Sequence, residues 1–151
     1  MPDVSAHRLP RTVIPSAYAV ALEPDLDAAT FTGTVRIDAN VETATSEIVL
    51  NAAELRIDTA SLRAGDTTVE LDCSLDLDLE RLTLRSPQLI EPGPAVIDFT
   101  FDGVLNDKLR GFYRSTFVDD TGETRTIATT QFESTNARRA FPCWDEPDLK
   151  A

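Results

Sequence analysis

Phe31-Thr32-Gly33-Thr34-Val35-Arg36-Ile37-Asp38-Ala39-Asn40-Val41 decides the fold class of this chain. Phe31, Val35, Ile37, Ala39 and Val41 share one parity with Gly33, while Thr32, Thr34, Arg36, Asp38 and Asn40 take the other. A two-residue period sends one set into a core and the other into water, the signature of a half-buried β-strand. The same alternation returns at Val69, Leu71, Cys73, Leu75 and Leu77, and again at Ile97, Phe99 and Phe101. Shorter strands are predicted over 18–22, 48–50, 55–62, 82–84, 111–118 and 124–132. Turn formers separate them: Pro24-Asp25, Ala64-Gly65-Asp66, Pro87, Glu91-Pro92-Gly93-Pro94, Asn106-Asp107 and Asp120-Thr121-Gly122.

Many short strands at this spacing predict an all-β, antiparallel fold, either a sandwich or barrel-like. Only residues 134–140 read as helical, with Ser134 as the cap and Pro142 opposing continuation. Residues 1–16 read as an extended arm and residues 17–151 as one β domain.

The 151-residue length suits a single domain. Fourteen Lys and Arg against 26 Asp and Glu give a net charge of −12. Such a surface repels phosphate backbones, so no nucleic-acid partner is expected, although cationic peptides would be attracted. No stretch approaches the ~18 apolar residues of a membrane span, so no membrane partner is expected. Residues 1–7 form no apolar leader, pointing to a cytoplasmic protein or one whose signal has been removed. Cys73 and Cys143 are expected as reduced thiols, with Cys73 turned inward on its strand.

Chemistry-bearing residues concentrate in Thr130-Gln131-Phe132-Glu133-Ser134-Thr135-Asn136-Ala137-Arg138-Arg139-Ala140-Phe141-Pro142-Cys143-Trp144-Asp145-Glu146-Pro147. Catalytic zinc needs three protein ligands and an open position. The single histidine, His7, lies in the arm, and no His-Glu-x-x-His pair is present, so no catalytic or metal-ligating residue is assigned. A Ser/His/Asp arrangement fails for the same reason. Gln131 and Glu133 stand apart. If the strand from Thr124 runs through them, both side chains share a face with Cα atoms ~7 Å apart. Phe132 then points the other way, into packing. A carboxylate beside an amide on a rigid strand end suits a cationic amine, most strongly where water is excluded. The competing reading of Glu133 is a surface carboxylate paired with Arg138 or Arg139. Arg138, Arg139, Asp145 and Glu146 read as charge pairs fixing the helix and following loop, and Phe141 and Trp144 as packing residues.

Several segments together resemble the N-terminal domain of the M1-family zinc aminopeptidases, the aminopeptidase N and puromycin-sensitive type. They are Thr130-Gln131-Phe132-Glu133, the Ala137 to Cys143 run, Asp145-Glu146-Pro147, Arg8-Leu9-Pro10, Val13 to Tyr18, Phe31-Thr32-Gly33, Ile48 to Ala52, and Gly111 to Ser115. The matches run in order from residue 8 to Ala151. The resemblance implies a saddle-shaped β domain in a protein that removes N-terminal residues from peptides. It implies that Gln131 and Glu133 help bind the substrate α-amine and first side chain. It places the zinc motif and the Gly-x-Met-Glu-Asn loop downstream, so zinc is expected in the full-length enzyme and none in this chain, which alone should be inactive. It also implies that strands completing the domain lie beyond Ala151. An open edge is then expected near residues 134–151, able to take a second copy or the chain's own arm. Two alternatives remain: a non-catalytic β-sandwich interaction module of an M1-like protein, and an unrelated acidic β-sandwich binding module.

Overall fold

The computed structural model describes residues 8–150; residues 1–7 of the expected arm, His7 among them, and Ala151 lie outside the described residues. Ten strands follow in order: β1 (Val13–Asp25), β2 (Thr30–Val41), β3 (Thr45–Asn51), β4 (Leu55–Ala64), β5 (Thr67–Glu70), β6 (Asp72–Asp76), β7 (Arg81–Ile90), β8 (Gly93–Val104), β9 (Gly111–Val118) and β10 (Thr124–Gln131). Two 3-10 turns close the chain, Ala137–Arg139 and Pro147–Leu149. The strands form three antiparallel sheets with none closed into a barrel: β1-β2-β8-β4-β5, β3-β7-β6, and the two-stranded β9-β10 ribbon.

Alternation does the work that the sequence assigns to it. In β2 every second residue, from Phe31 through Gly33, Val35, Ile37 and Ala39 to Val41, is buried. In β8 the same holds for Ala95, Ile97, Phe99, Phe101 and Gly103. These residues share one apolar cluster with Ile48, Leu50, Leu82 and Leu84 of the three-stranded sheet. The two sheets therefore bury their inner faces against each other, as a sandwich does. Gly33 lies opposite Phe101 in the ladder. A Cβ on Gly33 would stand 2.6 Å from that ring, so the missing side chain is the space the ring fills.

Two expectations are corrected. Cys73 is exposed, not inward, and of its series only Leu71 is buried, with Leu75 and Leu77 exposed and Val69 between. The chain leaves the large sheet after Glu70 and enters the small one at Asp72, turning on Leu71, whose N–H donates to the Ala60 carbonyl. Cys73 and Leu75 do lie opposite buried Leu84 and Leu82, hence on the correct face. Yet β6 is an edge strand with nothing beyond it to cover them. Periodicity identifies a face; it does not supply a cover for it. Pro87 is likewise not a break between strands, because it sits within β7. The pairing of β7 with β3 skips from Arg85 to Ile90 across a bulge at Thr45/Glu47, so the missing proline N–H falls where the ladder lapses.

Among the described residues no helix is long and apolar enough to cross a membrane.

Candidate functional site

The block after β10 folds back across the sandwich and is fastened at four places. Asn51 ends β3 and is buried although polar. Its backbone exchanges two hydrogen bonds with Cys143, at 2.7 and 3.0 Å. Its side-chain amide donates to the Glu80 carbonyl at 3.3 Å, and its Oδ1 accepts from Asp145 N–H at 3.1 Å. Arg138 donates from Nε to Asp145 Oδ2 at 3.0 Å, with both side chains only 12–13% exposed. Arg139 reaches Glu80 at 2.9 Å and Glu54 at 3.8 Å. Glu146 accepts from Leu9 N–H and from Arg11 Nη2, the latter at 2.7 Å. The structural roles expected of Arg138, Arg139, Asp145 and Glu146 are thus what the fold uses. Their partners Asn51, Glu54, Glu80 and Arg11 carry no local signal of these roles, except that a polar Asn ends the apolar run Ile48-Val49-Leu50.

Aromatic packing supports the same block. Phe132 meets Phe141 edge-on at 6.0 Å, and Phe141 meets Tyr18 of β1 edge-on at 6.0 Å. The Tyr18 hydroxyl accepts from Trp144 N–H at 3.0 Å. Burial pushes that phenol well above its ordinary range, so it stays protonated. Burial, with Asp145 nearby, does the same to the Cys143 thiol.

Gln131 and Glu133 lie on the exposed side of this packing. Gln131 is the last residue of β10, opposite Gly111 of β9. Gly111 has φ of 69°, and a Cβ there would come 2.7 Å from the Arg139 Cβ; the close approach of the latch to the strand end requires glycine. β10 stops at Gln131, so the strand period does not carry to Glu133, which sits in the turn that follows. Phe132 packs inward as expected and separates the two polar residues. The Asn136 N–H donates to the Phe132 carbonyl at 2.9 Å, and its side-chain amide donates to the Glu133 carbonyl at 3.0 Å. The Glu133–Ser134 peptide bond is cis. Ser134 does not cap the helical segment, which starts three residues later as a 3-10 turn with Asn136 at its N-cap. The Asn136 side chain is already engaged with the Glu133 carbonyl and Arg139 Nε, so it makes no capping bond either.

The competing reading of Glu133 fails on geometry. Arg138 and Arg139 are paired with Asp145, Glu80 and Glu54, and among the described residues Glu133 makes no ion pair. The turn therefore presents an exposed carboxylate with no ion-pair partner among the described residues, two positions after the exposed Gln131 amide. Such a pair can accept from an ammonium and does not itself move electrons. A separate hollow of about 620 Å³ lies on the face of the large sheet bearing Thr32, Thr34, Arg56 and Asp102, and involves neither residue. No group of three or more His, Cys, Asp or Glu among the described residues could hold a metal ion, so this part of the chain does not fit a zinc site.

Comparison with known proteins bears on the same residues. The family model of the peptidase M1 N-terminal domain matches residues 14–151. Aminopeptidase M1 of Arabidopsis thaliana is 44% identical over 149 residues, covering 95% of this chain and 17% of the relative. Aminopeptidase M1-C of Oryza sativa subsp. japonica is 47% identical over 145 residues, 95% of this chain and 16% of the relative. Puromycin-sensitive aminopeptidase of Caenorhabditis elegans is 43% identical over 150 residues, 98% of this chain and 16% of the relative. The chain thus spans about a sixth of the length of the relatives it matches.

Proposed function

This chain belongs to the family of peptidase M1 N-terminal domains, and we propose that it serves a longer aminopeptidase by holding the free α-amine of a peptide substrate. Glu133 accepts the ammonium, and Gln131 lines the space for the first side chain. The observation that carries the reading is the exposed Glu133, without an ion pair among the described residues, in a block whose arginines are all engaged elsewhere. Fixing the amine fixes which peptide bond reaches the reacting centre, so the contribution is orientation of the substrate. Zinc, in this proposal, is held by residues outside the chain, and the 151 residues alone neither bind it in stoichiometric amount nor hydrolyse aminoacyl substrates. A cytoplasmic setting is part of the same reading.

The test is Glu133→Ala in the longer protein. Loss of a charge-assisted contact made to the substrate should cost roughly 2–4 kcal/mol in kcat/KM, about 30- to 900-fold. The melting temperature should stay unchanged, since the carboxylate has no ion-pair partner among the described residues to lose. Gln131→Ala should cost less and alter preference at the first side chain. Near-normal kcat/KM combined with a lowered melting temperature would return Glu133 to a structural role.

A further inference from the structure

The outer face of the large sheet is open: from Thr30 to Asn40 every second residue of β2 is exposed. Register sets its side chains in rows that cross β1, β2, β8 and β4. The middle row is Ala21, Thr34, Thr100 and Thr59. Glu23, Thr32, Asp102 and Arg56 stand on one side of it, and Ala19, Arg36, Asp98 and Ser61 on the other. Two hollows, of about 620 and 530 Å³, lie over these rows and share Ala21, Thr34 and Thr100. They therefore join into one trough across the strands, floored by small and hydroxyl-bearing residues. Asp98, Thr100 and Asp102 of the central strand β8 are half-buried in it.

Charge in the trough is unevenly spent. Arg56 pairs with Asp102 and reaches Asp58 at 3.9 Å. Arg36 lies directly opposite Asp98 in the ladder, yet its guanidinium turns to Asp38 at 3.6 Å. The Asp98 carboxylate is left with no ion pair or hydrogen bond among the described residues. Acids in the lining, Glu23, Asp58, Asp98 and Asp102, outnumber Arg36 and Arg56. A concave surface of one prevailing sign concentrates ions of the other. Phosphate-bearing ligands are repelled here. Sugar rings and nucleobases find no stacking platform, because Phe99 and Phe101 have the buried parity. A second copy would set a charge of −12 against −12. Arg11 near the chain's own N-terminus is already held by Glu146 and Asp148.

We infer that this trough binds an extended segment of a separate polypeptide, through a lysine or arginine whose cation meets Asp98. Four strands at about 4.8 Å spacing give a crossing of ~14 Å, the length of roughly four to five extended residues. The Thr34 and Ser61 hydroxyls, with no hydrogen bond among the described residues, are free to bond the segment's backbone.

The experiment uses the longer protein and a fluorescein-labelled hexapeptide of alternating lysine and serine, acetylated at its N-terminus. Acetylation removes the α-amine, so the proposed amine site contributes nothing and the result stands apart from that reading. Fluorescence anisotropy should show binding that weakens with added salt. The same peptide with glutamate in place of lysine should not bind. Asp98→Asn should weaken binding about tenfold, as expected for one charge-assisted contact, and Asp98→Glu should largely retain it. Ala21→Phe keeps every charge but fills the trough, and should also abolish binding. Asp120→Asn, an equal charge change in the β9–β10 turn, should have no effect. Equal losses for Asp98→Asn and Asp120→Asn overturn the inference, since net charge alone would then act. Undiminished binding to Ala21→Phe overturns it too. So does a longer protein that fails to bind the lysine peptide, whether the face is vacant or covered by the rest of the polypeptide.

Discussion

Two ends of one eighteen-residue block behave in opposite ways. From Arg138 to Glu146 every charged side chain is engaged: Arg138 with Asp145, Arg139 with Glu80 and Glu54, and Glu146 with Arg11. At Gln131 and Glu133, a few residues earlier, the polar groups are exposed and make no ion pair among the described residues. Composition alone makes the two ends look alike, because each offers charge near aromatic packing. Burial separates them. A charge removed from water has to be matched within the fold, whereas a charge left in water and unmatched remains free to meet a ligand.

The comparison breaks most readily at Asp145. Asp145→Ala leaves the Arg138 guanidinium buried and uncompensated, which should destabilise the chain by about 3–5 kcal/mol. Glu133→Ala should stay within ~0.5 kcal/mol of wild type. Urea unfolding of both variants measures the contrast, and similar losses would erase the distinction between the two ends. Asn51→Ala is expected to come next, at about 1–3 kcal/mol, because the half-buried Asp145 N–H and Glu80 carbonyl each lose a partner. Its unfolding slope should match wild type if only the latch is weakened.

A smaller effect sharpens the view of the ribbon. At its turn Asp119 accepts from Thr121, Glu123 and Arg125, which lowers its carboxyl to about 2, the Thr121 hydroxyl contributing most. A folded-state value below the unfolded one gives stabilisation that is present above the unfolded value. It is lost as pH falls through the folded value. The turn should therefore hold at pH 4 and loosen toward pH 2. Carboxyl NMR of Asp119 with amide exchange over residues 119–123 follows this directly, and a midpoint in the usual carboxylate range would contradict it.

The smallest expected change is chemical. Cys73 is exposed and Cys143 is buried in the latch with its thiol pushed up. Iodoacetamide at pH 8 should modify one thiol per folded chain and two in denaturant. Labelling of Cys143 in the folded chain would show that the latch opens.

Much of this was legible from local pattern. The alternation in 31–41 and 97–101 located β2 and β8, and the run 111–118 coincided with β9. In β2 and β8 one face is buried, so period and burial agree, whereas β9 buries Gly111 and Phe112 at its start and leaves Thr116 to Val118 exposed. The roles of Arg138, Arg139, Asp145 and Glu146 as fasteners were legible too, since a dense mixed-charge run next to Pro and Trp has to be neutralised somewhere.

Where the pattern misled, the cause was a property of neighbours. Cys73 and Leu75 have core parity on an edge strand that nothing covers. Pro87 stays within β7 because the β3 partner bulges at its level. Glu133 leaves the strand after Gln131 because Phe132 turns in against Phe141, which rests in turn on Tyr18 more than a hundred residues away in sequence. The sequence by itself determined the sheet class, the faces of the long strands and the block where chemistry collects, because those depend on spacing along one chain. Tertiary structure alone decided which charges are spent and which are free. The Arg11–Glu146 contact joins residues 135 positions apart, and no local spacing encodes a partner that arrives only when two sheets close on a common core.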